Sequence, residues 1–447
     1  MARMRLALGR ARALGGAGVA LLGVMGGWGV VLGACAVARP PTSVPRPPAL
    51  PPSATGAIAE DRPARARLLM LRGEASEIAD APQAAAEAYS AAIGLDPQVP
   101  RFYLRLAELY RSLRAEREAE VVLREGLRLC RAESATAERV KLLLLLAQIA
   151  DDRGDVEAAR RSLGEATPLL SRAAPDATFR VGMHYVRLRG SRRDTDDAAQ
   201  AWWHLSAFRR AACASGVAAE LKEPCEVAGM QLQRIGDVAP GAPAPAAALE
   251  QAPVDTSPPR LPVPSLKLAE LRAGEAFTVF GASYFLRSRH HRAEVDGERI
   301  AVQGYVVKTN LAEAPACAVH PVGVADPEGC FAEVPTFWLG DQPSSPLSDA
   351  IPVLGFASNY AQIHDAIVQW EGGSTEPYVD VFWGQALPRP LPAVGAEVVV
   401  TGRYGTTFTK SSVGQLENTT LGILTFEEMT TLELGRAPAT LPGLLRR

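Results

Sequence analysis

"YLRLAELYRSLRAEREAEVVLREG", residues 103–126, places Ala107, Ala119, Leu123 and Gly126 at successive intervals of 12, 4 and 3. Intervals of three and four lie on one face of a helix, and the longer one bridges two helices. The same intervals occur 34 positions earlier in "LMLRGEASEIADAPQAAAEAYSAAIGLDP", at Gly73, Ala85, Tyr89 and Ala92, with Pro97 five residues on. They return in "LLLLLAQIADDRGDVEAARRSLGEA" at Ala147, Ala159, Leu163 and Ala166, after a six-residue insertion. A small residue lets two helices touch, a large one interlocks them, and a stretch such as "DRGD" turns the chain. No such hairpin buries its apolar face alone, so three in succession stack into a curved array.

The three copies resemble the tetratricopeptide repeat (TPR). They depart from it at Arg72, where a large apolar residue is usual, and the second copy lacks a closing proline. The resemblance implies an all-α solenoid over residues 64–236 that acts as a protein-binding scaffold. Its inner face would include Glu74, Arg101, Glu108, Arg111, Lys141 and Gln148, whose signs alternate, so no single charged terminus is indicated. Each of these also reads as an ordinary solvated helix residue. Beyond the repeats, "DDAAQAWWHLSAFRRAACAS" and "EPCEVAGMQLQRIG" keep helical periodicity and are expected to cap the array. Trp202, Trp203 and Phe208 then belong to packing. His184 and His204 read as ordinary histidines, since neither has Cys, His or Asp at ligand spacing.

Residues 237–264 are a second linker rich in Pro and Ala. Past it the period becomes two: "RIAVQGYVVKTN", "AEVPTFWLGD" and "IPVLGFAS", a helical "NYAQIHDAIVQWE", then "AEVVVTGRYGTTF" and "GILTFEEM". Three strands, a helix and two strands is the order of an OB-fold, and residues 265–435 resemble bacterial OB-like domains related to anticodon-binding modules. The resemblance implies a small β-barrel, with Gln303, Tyr305 and Trp338 as a candidate binding face. "EAFTVFGASYFLRS" is expected to add a strand outside it. This segment holds 10 Lys and Arg against 20 Asp and Glu. Nucleic acid needs a basic stripe that releases counterions, so no nucleic acid is expected. The one basic run, "RSRHHR" at residues 287–292, reads as a solvated turn.

The N-terminus fixes the compartment. Arg3, Arg5, Arg10 and Arg12 precede a charge-free stretch from Ala13 to Val37, the layout of an export signal. Leu32-Gly33-Ala34-Cys35 resembles the lipobox of bacterial lipoproteins, which implies a signal peptide over residues 1–35 and lipidation at Cys35. An uncleaved membrane helix is the alternative. Residues 36–63 are a Pro-rich tether, semi-extended at roughly 3 Å per residue where polyproline II forms, and residues 436–447 a free tail. An oxidising cell envelope favours pairing Cys213 with Cys225 and Cys317 with Cys330, and leaves Cys130 a buried thiol. Zinc at Cys317, His320 and Cys330 is the alternative, although no fourth ligand is evident.

The whole chain, 47 Lys and Arg against 49 Asp and Glu, is close to neutral. It has no G-x-S-x-G elbow, P-loop or H-E-x-x-H motif. His364-Asp365 and "TKSS" (Lys410, Ser411, Ser412) form no recognisable triad. The expectation is a multidomain, non-enzymatic envelope lipoprotein, on the periplasmic or outer-membrane side, without cofactor or metal. It binds protein partners through the repeats and carries the OB-like domain as an accessory module. A carbohydrate- or peptidoglycan-binding lipoprotein is the alternative, and an envelope hydrolase the third.

Overall fold

The computed structural model describes residues 61–192, 195–213, 219–236, 257–408 and 420–435, with 410, 418, 440–442 and 444. Cys35, its apolar leader and nearly all of the tether lie outside the described residues. Among the described residues no helix is long and apolar enough to cross a membrane. All of them belong to one compact unit, residues 57–447.

Six helices form three successive hairpins: α1 (Arg62–Ile78) with α2 (Pro82–Leu95), α3 (Pro100–Ser112) with α4 (Glu116–Leu129), and α5 (Thr136–Asp152) with α6 (Val156–Ala166). Pro82 and Pro100 open their helices, where a fixed φ helps and the missing N–H costs nothing. The turn of each hairpin passes through one left-handed residue: Asp80 (φ 51°), Arg114 (φ 60°) and Gly154 (φ 75°). Their spacings are those of the sequence repeat. The small-residue positions are equally literal. A Cβ on Gly73 would lie 2.4 Å from the fully buried Tyr89 ring, and one on Gly126 would lie 2.9 Å from Tyr103. Three more helices follow, α7 (Pro175–Arg192), α8 (Thr195–Ala212) and α9 (Lys222–Ile235), packed around Val181, Leu205 and Phe208.

The C-terminal part is a mixed sheet. Its elements are β1 (Arg272–Ala273), β2 (Ala276–Thr278), α10 (Val279–Arg287), β3 (Arg299–Thr309), β4 (Thr336–Gly340), β5 (Ile351–Leu354), α11 (Tyr360–Glu371), β6 (Glu397–Gly405) and β7 (Ile423–Glu433). The pairings β3–β4, β4–β5, β5–β7, β7–β6 and β6–β3 close a circuit, parallel only at β5–β7. Alternation in β3 sends Val302 and Val306 inward to Phe337, Val353, Val400 and Phe426.

Residues 275–288 differ from the single strand expected. Ala276–Thr278 is the strand, and Val279–Arg287 is α10. Thr278 Oγ1 accepts from Gly281 N–H at 2.9 Å, and the Asp341 carboxylate accepts from Val279 and Phe280 N–H at 2.7 and 2.9 Å. Three donors that a helix start leaves unpaired are thus satisfied, one of the acceptors arriving from the end of β4. The last stretch of the expected linker is also seated, together with the first residues after it. Arg260 N–H donates to Glu125 Oε1 (2.7 Å), Tyr110 Oη to the Pro262 carbonyl (3.3 Å), and Leu266 N–H to Gln83 Oε1 (2.9 Å). Within the expected tail, Leu441 is buried in the sheet core.

Both expected disulfides are present, Cys213–Cys225 and Cys317–Cys330. The second excludes zinc on those sulfurs, and His320 instead pairs with Asp326 at 2.7 Å. Among the described residues no cluster of His, Cys, Asp and Glu is suited to a metal.

The interlock at Gly73 is open to test. Gly73→Ala must displace the Tyr89 ring and should lower unfolding free energy by about 1–3 kcal/mol in chemical denaturation. Gly94→Ala meets open space and should raise it by up to about 1 kcal/mol.

Candidate functional site

The first helices of successive hairpins, α3 and α5, and then α7 present one side to the sheet part, and α10 with the turn after it approaches that side. A cavity of about 560 Å³ lies between them. Leu104, Leu144, Leu145, Phe179 and Met183 give it an apolar wall on the array. Four of the six residues expected on the inner face line it: Glu108, Arg111, Lys141 and Gln148. The other two do not. Glu74 accepts from Arg289 Nη2 at 3.2 Å and has Arg101 and Arg105 within 3.6 Å, so this end of the array is occupied by the chain's own sheet part.

The alternation of charge read from the sequence does not describe this cavity. Glu108 is its only carboxylate among the described residues, whereas Arg180 and Arg187 from α7 and Arg287, Arg289 and Arg292 from the opposite wall join Arg111 and Lys141. The positive field registers on His184. Its imidazole is buried, with Nδ1 2.7 Å from Arg187 Nη2, and titrates well below the usual histidine range because of burial, then Arg187, Arg111 and Arg180. Sequence reasoning missed the α7 contribution because α7 lies outside the repeat. The i, i+4 run Phe179, Met183, Arg187 and the run Arg180, His184 were the available signal.

Docking uses the run "RSRHHR", which is not a solvated turn. Arg287 Nη2 donates to Glu116 Oε1 at 2.6 Å with 1% of its side chain exposed. His290 lies 3.3 Å from Glu77 and His291 3.4 Å from Asp80. The left-handed turn residues reach across too: Asp80 accepts from Tyr284 Oη at 3.2 Å, and Arg114 donates to Ser283 Oγ at 2.7 Å. Glu77, desolvated by the contact, is pushed up to about 7.

The other candidates are scattered. Gln303, Tyr305 and Trp338 lie on the outer sheet face; Gln303 donates to Glu397 at 2.8 Å, and Lys308 stands 5.4 Å over the Trp338 ring. Glu397 and Glu433 raise the Tyr305 phenol, so this face is acidic. Cys130 is buried and pushed up to about 12 by desolvation, which makes it inert at neutral pH. His364 Nδ1 lies 2.8 Å from Asp365, whose other oxygen accepts from Val322 N–H. Lys410 Nζ donates to the Gly355 and Phe426 carbonyls and to Gln385, as a strut; Ser411 and Ser412 lie outside the described residues. His204 is fully buried and desolvated down to about 4. Trp202 and Phe208 pack in the core of the capping helices.

A second cavity of about 320 Å³ lies beside the Cys317–Cys330 loop and the start of α11. Phe331 and Phe382 flank it, exposed at 92% and 67%, and Gln362 Nε2 is buried there without a partner. The chain matches no family model, no curated protein and no solved structure in comparison.

Two measurements probe this region. Arg287→Met should cost about 3–5 kcal/mol, because it strands a partly buried carboxylate. Combined with Glu116→Gln it should cost less than the sum of the single changes in a double-mutant cycle. His204 gives the pH test. Its folded pKa lies below the unfolded 6.5, so the unfolded chain binds the extra proton and stability falls as pH drops from 6.5 to about 4. Glu77, raised, contributes the opposite slope between 4.5 and about 7. His204→Gln should therefore flatten the acid-side loss by up to about 3 kcal/mol relative to the parent.

Proposed function

We propose that this is an exported, lipid-anchored, non-catalytic binding protein in which a TPR-like array and an OB-like barrel hold a protein partner at their junction. The observation that carries the reading is the junction cavity, which gathers Glu108, Arg111, Lys141 and Gln148 from the face that TPR arrays use for binding. Three hairpins with matched turn residues support the TPR likeness, and the closed strand circuit with α11 between β5 and β6 supports the OB likeness. Two disulfides fit an oxidising compartment outside the cytoplasm. Anchoring at Cys35, the signal peptide and the envelope location rest on the N-terminal sequence.

Absence of catalysis is supported by the chemistry of the cavity. Its serine, Ser288, accepts from the backbone N–H groups of His290 and His291 at 3.2 and 3.3 Å. Its one histidine, His184, is surrounded by arginines that oppose protonation. A general base needs a substrate within reach and a pKa near working pH. The carbohydrate reading is favoured by the second cavity, where Phe331, Tyr360 and Phe382 rings stand with His320, Asp326 and Gln362.

A photo-crosslinker at Gln148 in the full-length protein, activated in intact cells, separates these. A discrete protein adduct at Gln148, with none from position 331, is the expected result. Carbohydrate adducts only from position 331, or retention of the protein on cell-wall sacculi, would replace the scaffold with the carbohydrate reading. Cys35→Ser should abolish labelling by a palmitate analogue; equal labelling of parent and variant would remove the lipid anchor.

A further inference from the structure

We infer that the junction cavity takes an acidic peptide segment, carboxylates flanking an apolar side chain, clamped between cations of the array and cations of the sheet part. The inference rests on the reading of this cavity as the partner site and gives the partner its chemistry. Among the described residues, seven cationic side chains line the cavity against the single carboxylate of Glu108. They stand on two facing walls, Lys141 and Arg180 on α5 and α7, Arg289 and Arg292 beyond α10, so a guest meets positive charge from both sides.

The protein's own carboxylates balance these charges only in part. Glu116, Asp152, Glu74, Asp176 and Asp296 hold Arg287, Arg111, Arg289, Arg180 and Arg292 from outside the lining. Among the described residues no carboxylate comes within ion-pair distance of Lys141, which is exposed on the cavity wall. A carboxylate of the guest supplies the charged partner that Lys141 lacks.

The apolar part decides what kind of anion fits. Leu104, Leu144, Leu145, Phe179 and Met183 would be wasted on an inorganic ion, whereas an apolar side chain between two carboxylates covers them. Gln148 offers an amide to the guest's backbone. The cavity has the size of those that enclose drug-sized ligands and is too small for a duplex, whose groove alone is about 12 Å wide.

The test uses the full-length protein in detergent and three synthetic peptides with the same apolar residues, carrying Asp and Glu, Asn and Gln, or Lys. By fluorescence anisotropy the acidic peptide should bind about tenfold or more tighter than the amide peptide and weaken as salt rises. Lys141→Glu on one wall and Arg292→Gln on the other should each weaken it about fivefold or more. Arg72→Glu, exposed and remote from the cavity, should leave it unchanged. Both cavity changes sit at solvent-exposed positions, and a circular dichroism spectrum checks that each variant is folded. Equal binding of acidic and amide peptides, with crosslinking of both at Gln148, would overturn the charge inference and leave the partner site standing. Absence of every peptide at Gln148, with binding to anionic vesicles or inorganic phosphate instead, would overturn both.

Discussion

The arrangement of this molecule depends on a guanidinium taken out of water. Arg287 leaves α10 and enters the array, where Glu116 receives it. Beside it Arg111 is bound by Asp152 at 3.0 Å, and Asp152 also accepts from Thr420 Oγ1 at 2.7 Å. Two guanidiniums this deep oppose each other: Arg111 titrates below its usual range through burial and then through Arg287. Arginine nonetheless keeps its proton in proteins, so each guanidinium needs its carboxylate partner beside it. Removing any one member leaves a charge without its counter-ion in a place water barely reaches, where the loss is several-fold larger than at a surface pair. One interaction set therefore joins α3, α4 and α5 to α10 and to the segment before β7.

The cavity is a consequence of that joint. α10 meets the array at the turn tips of the first two hairpins, and Leu113 packs on the apolar cores of both parts. Further along, no helix or strand among the described residues packs against the cavity side of α5 and α7, and a gap lies between two surfaces already rich in arginine. Cations that dock the parts at one edge become the lining at the next: Arg289 holds Glu74 and also faces the cavity. Docking and lining draw on the same short run of sequence, so a change in that run alters both.

How much was legible follows from the range of each interaction. The hairpins were readable because a small residue and the ring it receives, Gly73 and Tyr89, lie sixteen positions apart and repeat at a fixed offset. The strands of the circuit were readable because β3 alternates strictly between core and outside. The helix after β2 was not. Its β-branched and aromatic residues suit a strand, and its helical start is fixed by Asp341, about sixty positions away. The joint itself was illegible: Arg287 and Glu116 are 171 positions apart, and single charges carry no period. For the same reason four of the residues expected on the inner face share one cavity while the charge of that cavity was not legible, since more than half of its lining comes from α7 and from the sheet part.

The covalent staples and the joint divide the work differently. Both disulfides close short loops, 12 and 13 positions apart, inside one part or the other. Each contributes about 3 kcal/mol in the chain-entropy model by restricting the unfolded chain. Neither crosses the joint. The joint is held by Arg287, Arg289, His290 and His291 against Glu74, Glu77, Asp80 and Glu116, with Leu113 and the seated segment around Leu261 and Leu266 adding apolar contact. Exposed members of such a set are screened by salt while the buried pair is not. Reduction therefore weakens each part from within, whereas ionic strength acts mainly on the rim of the joint, where the two walls of the cavity meet.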